Sequence, residues 1–379
     1  MKLALFADPG SPHTRVWLDA LRARGVDVHL FSAQKASPPS DLGVPVATPA
    51  GRPNDAPKSG ARARDPWQLR RISRAVRLAP GARAWVRALR PDLTLALRLQ
   101  PEGLLAAMSG ARPLVLVSWG QDVLHLALRH PLHRAFARFA VRRAARVYGE
   151  TENVLDGWRR LGAPTSRAMR ALTGIDTEFW KSRGQTAAVS PLPARFILSP
   201  RALAARGHQR ELTRAWLEVT AQQDGDLGLV LTGHGDPAIR EECRALASAA
   251  GRLQDLFDLG SVEPSALRAL FDYSTLVASL WRPDGLSQTL LEAMAAGAVP
   301  LVADLPGTRE WIDEGVNGVL VDPSDVPAVA RALRRALALP REAVAEENRR
   351  RVSLHADRER NMDRWIDELR QLASSQATR

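Results

Sequence analysis

The chain has 379 residues and a formal charge of +12, with 45% apolar and 25% charged residues. That composition excludes a disordered chain, and the length suits two ordinary domains better than one core. No apolar run reaches the ~18 residues of a membrane-spanning helix, and the apolar part of MKLALFADPG is too short for a signal peptide. The single cysteine, Cys243, cannot form an internal disulfide, so a cytoplasmic, reducing setting is expected. In REECRALASAA it reads as a helix position, not as a nucleophile. The excess of arginine implies an anionic partner: phosphates, nucleic acid or an acidic lipid surface.

In chain order, KLALFA (2–7) reads as a strand, Thr14 to Arg24 as a helix and VDVHLF (26–31) as a strand. Residues 35–66, rich in Pro, Ser, Gly and Asp, read as a long loop. Helix-like stretches then precede the strands DLTLAL (92–97), PLVLVS (113–118) and RVYGE (146–150). Near-continuous apolar strands are expected where both faces of a parallel sheet are covered. Residues 182–194 form a second break, suited to a linker. Beyond it the alternation restarts with RFILSP, LGLVLTG, STLVASL, VPLVAD and GVLVD. The expected α/β organisation is therefore two doubly wound domains, 1–181 and 195–355, followed by a helix over 356–379. Trp365, Ile366 and Leu369 share one face of that last helix, which places it against a domain, possible candidates including the first.

The most specific stretch runs from Asp284 to Gly297 (DGLSQTLLEAMAAG) and is followed by the strand VPLVA. It reads as a loop, the first turns of a helix and a glycine stop. Free N–H groups at such a helix start suit a phosphate. Glu292, further along, can reach ribose hydroxyls, and Asp284 can face those of a sugar. By spacing alone, two solvated surface acids would read the same way.

Two carboxylates eight positions apart, with Gly285 after the first and Leu-Glu-Ala-Met-Ala-x-Gly around the second, resemble the signature of glycosyltransferase family 4. The resemblance implies a retaining enzyme of the GT-B fold, with two Rossmann-like domains facing across a cleft. It assigns Glu292 to the donor ribose and Asp284, where the family usually has Glu, to the transferred sugar. Gly285, Leu286, Ser287, Gln288 and Thr289 would line the donor's phosphates. Residues 196–207 (FILSPRALAARG) resemble the family's strand with an arginine and, five residues on, a lysine. Here Arg201 and Arg206 fill those places, as cations for the leaving diphosphate. Arginine can grip a phosphate bidentately, so the second position keeps its role.

Gly233 and Gly235 resemble the family's small Gly-x-Gly turn beside the donor, and Gly174-Ile175-Asp176 the turn that ends its first domain. Gly10 and His13, at the start of the first helix, resemble its opening loop and would touch acceptor or donor phosphate; His13 also reads as a capping or packing residue. Where many members carry a histidine near the transferred sugar, this chain has Trp119, which can stack on a sugar ring but cannot accept a proton. Asp122 can bind a hydroxyl or cap the following helix.

For a retaining transfer without an evident nucleophile, same-face attack is expected, the leaving phosphate oxygen helping to take the acceptor's proton. Asp224-Gly225-Asp226 has the Asp-x-Asp form of a metal site but sits where Asp-Gly makes an ordinary turn, so no metal or other cofactor is expected. The expected partners are a nucleotide-diphosphate sugar, with UDP as default, and an unspecified acceptor; the basic amphipathic helix over Arg129 to Arg146 reads as a core helix with solvated arginines or as a contact for an anionic membrane face. A nucleotide-sugar epimerase and a basic nucleic-acid- or membrane-binding protein are the rival readings. With 5% aromatic residues and no recognisable motif, nucleic acid is not expected.

Overall fold

The computed structural model describes residues 1–34, 39, 41–48, 69–181, 192–222 and 226–377. Most of the 35–66 segment, residues 182–191 of the expected linker, Arg62, Arg64 and Asp224 lie outside these. The chain divides into two compact units, Met1–Leu172 with Glu359–Arg379, and Thr173–Arg358. The boundaries expected at 181 and 355 therefore fall at 172 and 358. Hydrogen bonding explains the shift. Ile175 donates its N–H to Ala356 O at 2.8 Å, Arg358 donates to Ile175 O at 3.0 Å, and the Thr177 hydroxyl reaches Asp357 at 2.5 Å. Gly174-Ile175-Asp176 is thus a strap inside the second unit.

The first unit holds a seven-stranded sheet: Lys2–Phe6 (β1), Asp27–Phe31 (β2), Val46–Ala47 (β3), Leu93–Leu97 (β4), Leu114–Ser118 (β5), Arg146–Gly149 (β6) and Ala168–Arg170 (β7). Its order is β3-β2-β1-β4-β5-β6-β7, with every pair parallel. The central strands LTLAL and LVLVS are buried along their whole length, as a sheet covered on both faces requires. One face packs on helices Leu69–Leu89, Leu104–Ser109, Pro131–Arg143 and Glu152–Arg160. The other packs on helix Pro12–Ala23 and the C-terminal helix Arg358–Ala377, whose Trp365, Ile366 and Leu369 are fully buried. Trp365 meets Trp17 edge-on at 5.0 Å and Tyr148 at 4.2 Å. Arg24 anchors the same helix through Glu359 and Asp363. Each buried side chain of this size contributes about 1.5–3 kcal/mol, which explains why the last helix leaves the second unit for the first.

The basic helix expected over 129–146 spans Pro131–Arg143. Its apolar stripe faces inward. Ala137, Ala140 and Val141 are buried, and Phe136 and Phe139 pack against the same core. Arg134, Arg138, Arg142 and Arg143 are exposed, with Leu132 beside them.

The second unit holds six strands: Arg195–Ser199 (β8), Leu227–Leu231 (β9), Leu256–Asp258 (β10), Leu276–Ser279 (β11), Val299–Ala303 (β12) and Val319–Val321 (β13). Their order is β10-β9-β8-β11-β12-β13, again all parallel. In both units the first strand of the unit is central and the chain reverses its direction of travel beside it, between β1 and β4 and between β8 and β11. At such a switch point neighbouring connections leave on opposite faces, opening a crevice at the carboxyl ends of the strands, where ligands bind in folds of this kind.

Candidate active site

In the second unit, the expected residues gather at the β8/β11 switch point. The loop after β8 carries Arg201 and Arg206, and the loop after β11 carries Trp281 to Ser287. Arg201 donates from Nη1 to Asp284 Oδ2 at 2.5 Å and to Ser287 Oγ at 3.2 Å. Asp284 accepts in turn from the Gly285 N–H at 2.9 Å. Both guanidinium groups lie over the Trp281 ring, Arg201 at 4.4 Å and Arg206 at 4.8 Å from its centroid.

The Gly-x-Gly turn after β9 is sewn to this loop by backbone. Leu203 donates to His234 O, and Asp236 donates to Leu203 O at 2.8 Å. A Cβ on Gly235 would stand 2.2 Å from the Leu203 carbonyl oxygen, so only glycine allows the approach. Gly233 adopts φ +91°, the conformation glycine tolerates best. Both glycines thus hold the Arg201–Arg206 loop against β9.

Helix Gln288–Ala296 starts at Ser287, whose extended backbone is that of an N-cap, and ends at Gly297 with φ 81°. No side chain caps its start and no acidic residue stands in its first turn. Its first N–H groups therefore meet the crevice with the positive end of the helix dipole and no competing carboxylate. Leu286, Ser287 and Thr289 are buried beneath that start.

Glu292 lies one turn further along. Among the described residues no hydrogen bond or ion pair holds its carboxylate. Burial raises its pKa from 4.5 to about 7, against the opposing fields of Arg358 and Arg201. A half-buried carboxylate without a protein donor can take hydroxyl donors from a ligand. Arg201, Asp284, Ser287 and Glu292 are therefore one cluster, with Arg206 joined to it through Trp281.

The first unit places its expected residues at the carboxyl ends of β1 and β5. Gly10 donates its N–H to Asp8 Oδ1 at 3.1 Å. His13, in the first turn of helix Pro12–Ala23, stacks on Trp119 with centroids 4.6 Å apart. Asp122 is held by protein donors. It accepts from the Ser118 hydroxyl, the Leu99 N–H and the Val123 N–H, tying the loops after β4 and β5 together. Its pKa is raised by burial, with the bonds from Ser118, Leu99 and its own N–H and the charge of Arg98 opposing. Asp8, unmarked in the sequence, also accepts from Gln34 Nε2 at 3.2 Å and faces Arg98 at 4.0 Å.

Two residues of the cluster escaped the sequence. Trp281 stands in an undistinguished loop, although a large aromatic three residues before Asp284 and one before an arginine was a usable signal. Arg358 faces Glu292 from the far end of the unit, and no local pattern points to it. Of the possible metal pair, Asp226 is ion-paired with Arg195 at 2.9 Å. Among the described residues no group of three or more potential metal ligands occurs, and no helix is long and apolar enough to cross a membrane.

Two family profiles match the chain: "Glycosyl transferase 4-like" over residues 2–151 and "Glycosyl transferases group 1" over residues 185–353. Among curated proteins it is 29% identical, over 52% of its length and 49% of the relative's, to the GDP-mannose:cellobiosyl-diphosphopolyprenol alpha-mannosyltransferase of Xanthomonas oryzae. It is 27% identical, over 57% and 58%, to the alpha-D-kanosaminyltransferase of Streptomyces kanamyceticus. The chain spans about half the length of the curated relatives it matches. Among solved structures, Anabaena HepE in complex with UDP superposes with a TM-score of 0.76 at 16% identity, over 98% of this chain and 100% of that one. Sucrose-phosphate synthase from Thermosynechococcus elongatus superposes with a TM-score of 0.80 at 17% identity, over 99% and 100%. The fold is thereby that of the GT-B glycosyltransferases, built from two Rossmann-like units.

Proposed function

Because the chain belongs to the family-4-like, group 1 glycosyltransferases, we propose that it transfers a sugar, with retention, from a nucleotide-diphosphate sugar to an acceptor. The observation that carries this reading is the cluster of Arg201, Asp284, Ser287 and Glu292 at the β8/β11 switch point, beside an uncapped helix start. Glu292 takes the ribose hydroxyls. Arg201, Arg206 and the N–H groups at the start of helix Gln288–Ala296 take the diphosphate. Asp284, on the same loop, takes a hydroxyl of the transferred sugar once Arg201 turns to phosphate. Negative charge grows on the diphosphate as the glycosidic bond breaks, and prearranged cations stabilise it most at that point. The acceptor hydroxyl attacks the face the diphosphate leaves, and a leaving-phosphate oxygen takes its proton. No divalent metal is required, since the two arginines supply the positive charge. In the first unit, Gly10, His13 and Trp119 are the proposed acceptor contacts.

UDP is the proposed carrier, supported by the UDP complex of HepE, which matches along the whole chain; the Xanthomonas relative is named for GDP-mannose. A thermal-shift panel of UDP, GDP, ADP and their common sugars tests the reading. Stabilisation by one nucleoside diphosphate is expected, and a chain stabilised by none is not this enzyme.

We also propose that it works at an anionic membrane face, on a lipid-linked acceptor. Helices Leu69–Leu89 and Pro131–Arg143 lie in one layer and carry no acidic residue, while Arg70, Arg77, Arg83, Arg87, Arg134, Arg138 and Arg142 are exposed. With the phenylalanines turned inward, the attraction is electrostatic, about 1 kcal/mol for each basic residue near the surface. Binding to anionic vesicles should fall steeply between low and physiological salt, because screening acts over ~8–10 Å. Replacing Arg134, Arg138 and Arg142 with Gln should weaken it and leave nucleotide affinity unchanged. A protein that ignores such vesicles at low salt has a soluble acceptor.

A further inference from the structure

We propose that Trp281 is a positioning residue for the transfer, its indole ring acting as the common anchor that holds both Arg201 and Arg206 for the diphosphate. This rests on the glycosyltransferase reading above and adds to it a residue that the two arginines depend on. Two guanidinium groups drawn to one place repel each other, and an isolated pair would spread into solvent. Here each lies over the same ring, at 4.4 and 4.8 Å from its centroid. The negative face of an indole attracts a guanidinium more strongly than any other side-chain ring does. The ring itself cannot drift, being only 7% exposed. Its loop is tied to the arginine loop, since Arg282 donates its N–H to Arg206 O at 2.8 Å. Arg282 also pairs with Asp322 at 3.0 Å, which fixes the loop on its other side.

Arg201 is also held by Asp284 and Ser287. Loss of the ring removes a contact common to both guanidinium groups, and binding diphosphate then costs the entropy of ordering them. The ring keeps both contacts when the arginines turn toward phosphate, because a cation–π contact fixes distance from the ring more than direction within its plane.

The test is a set of variants read by turnover, donor KM and calorimetric affinity. Trp281→Leu should lower kcat about tenfold and weaken a nucleoside diphosphate several-fold, while a nucleoside lacking phosphates binds as before. Trp281→Phe, which restores a ring face, should recover most of the loss. In an Arg206→Ala background, Trp281→Leu should cost much less than in the parent, because the anchor has lost one of its two occupants. Full additivity of the two substitutions would overturn the proposal, as would a Trp281→Phe variant no better than Trp281→Leu. If Trp281→Leu does not fold, Trp281→Met, which fills the space without a ring face, carries the same cycle with Arg206→Ala. A parent chain that binds no nucleoside diphosphate would instead remove the underlying reading, independently of how Trp281 behaves.

Discussion

Arg201→Ala and Arg206→Ala should each lower turnover by about a hundredfold or more, with a much smaller change in the donor's KM. The reason is when the charge appears. In the bound donor the diphosphate shares its charge with a glycosidic bond, and on departure it carries all of it, so a nearby cation gains most at the transition state. Arg206→Ala is the cleaner of the two. Arg201 also neutralises Asp284, whose side chain is only 12% exposed, and removing it leaves that carboxylate buried without its cation. Arg201→Lys separates the effects, since it keeps the charge and loses the fork. Steady-state kinetics with and without EDTA complete the test. Activity should survive chelation; activity abolished by EDTA and restored by manganese would reassign the charge to a metal and bring Asp224 and Asp226 back into consideration.

Glu292→Gln should weaken donor or nucleoside diphosphate binding roughly tenfold or more at pH 8, because a hydrogen bond to a charged acceptor contributes about 1.5–3 kcal/mol. The pH dependence makes this specific. The carboxyl's pKa is raised from 4.5 to about 7 by burial. Between those values the folded chain keeps a proton that the unfolded chain has released, so stability contributed by this group is present below pH 4.5 and is lost as pH rises through 7. The loss is at most about 3 kcal/mol. Glu292→Gln carries no charge, and its Tm should exceed the parent's at pH 8 while matching it near pH 4.5. Nucleotide affinity runs the other way, since ribose hydroxyls need the ionised carboxylate as acceptor. It should rise through pH 7 in the parent and stay flat in the variant. Calorimetry and thermal melts at three pH values measure both. Equal binding by parent and variant would show that Glu292 does not touch the nucleotide.

Ten of the strands were legible because each is a continuous apolar run covered on both faces. The three that were not, β3, β7 and β10, are edge strands of two or three residues with half-buried or exposed positions. Such strands carry little apolar signal, and pairing with a neighbour creates them. The site divides in a similar way. Asp284 to Gly297 was readable because loop, helix start and glycine stop follow one another in sequence. Pairing was not readable. Asp284 and Ser287 meet Arg201 across more than eighty residues, and Glu292 faces Arg358 from another part of the unit. Asp122, which reads in the sequence as a hydroxyl contact or a helix cap, bonds across the loops after β4 and β5, a pairing that no local pattern shows.

The strap between Ile175 and Ala356–Arg358 has an evolutionary consequence. It brings together the two points at which the chain enters and leaves the second unit, so that this unit is a closed cassette inserted in the sequence of the first. A cassette of that kind can be exchanged in one recombination event with two nearby junctions, its sheet and its loops travelling intact. The C-terminal helix stays behind, because its Trp365, Ile366 and Leu369 belong to the other core. A chain built this way can change one unit without redesigning the core of the other.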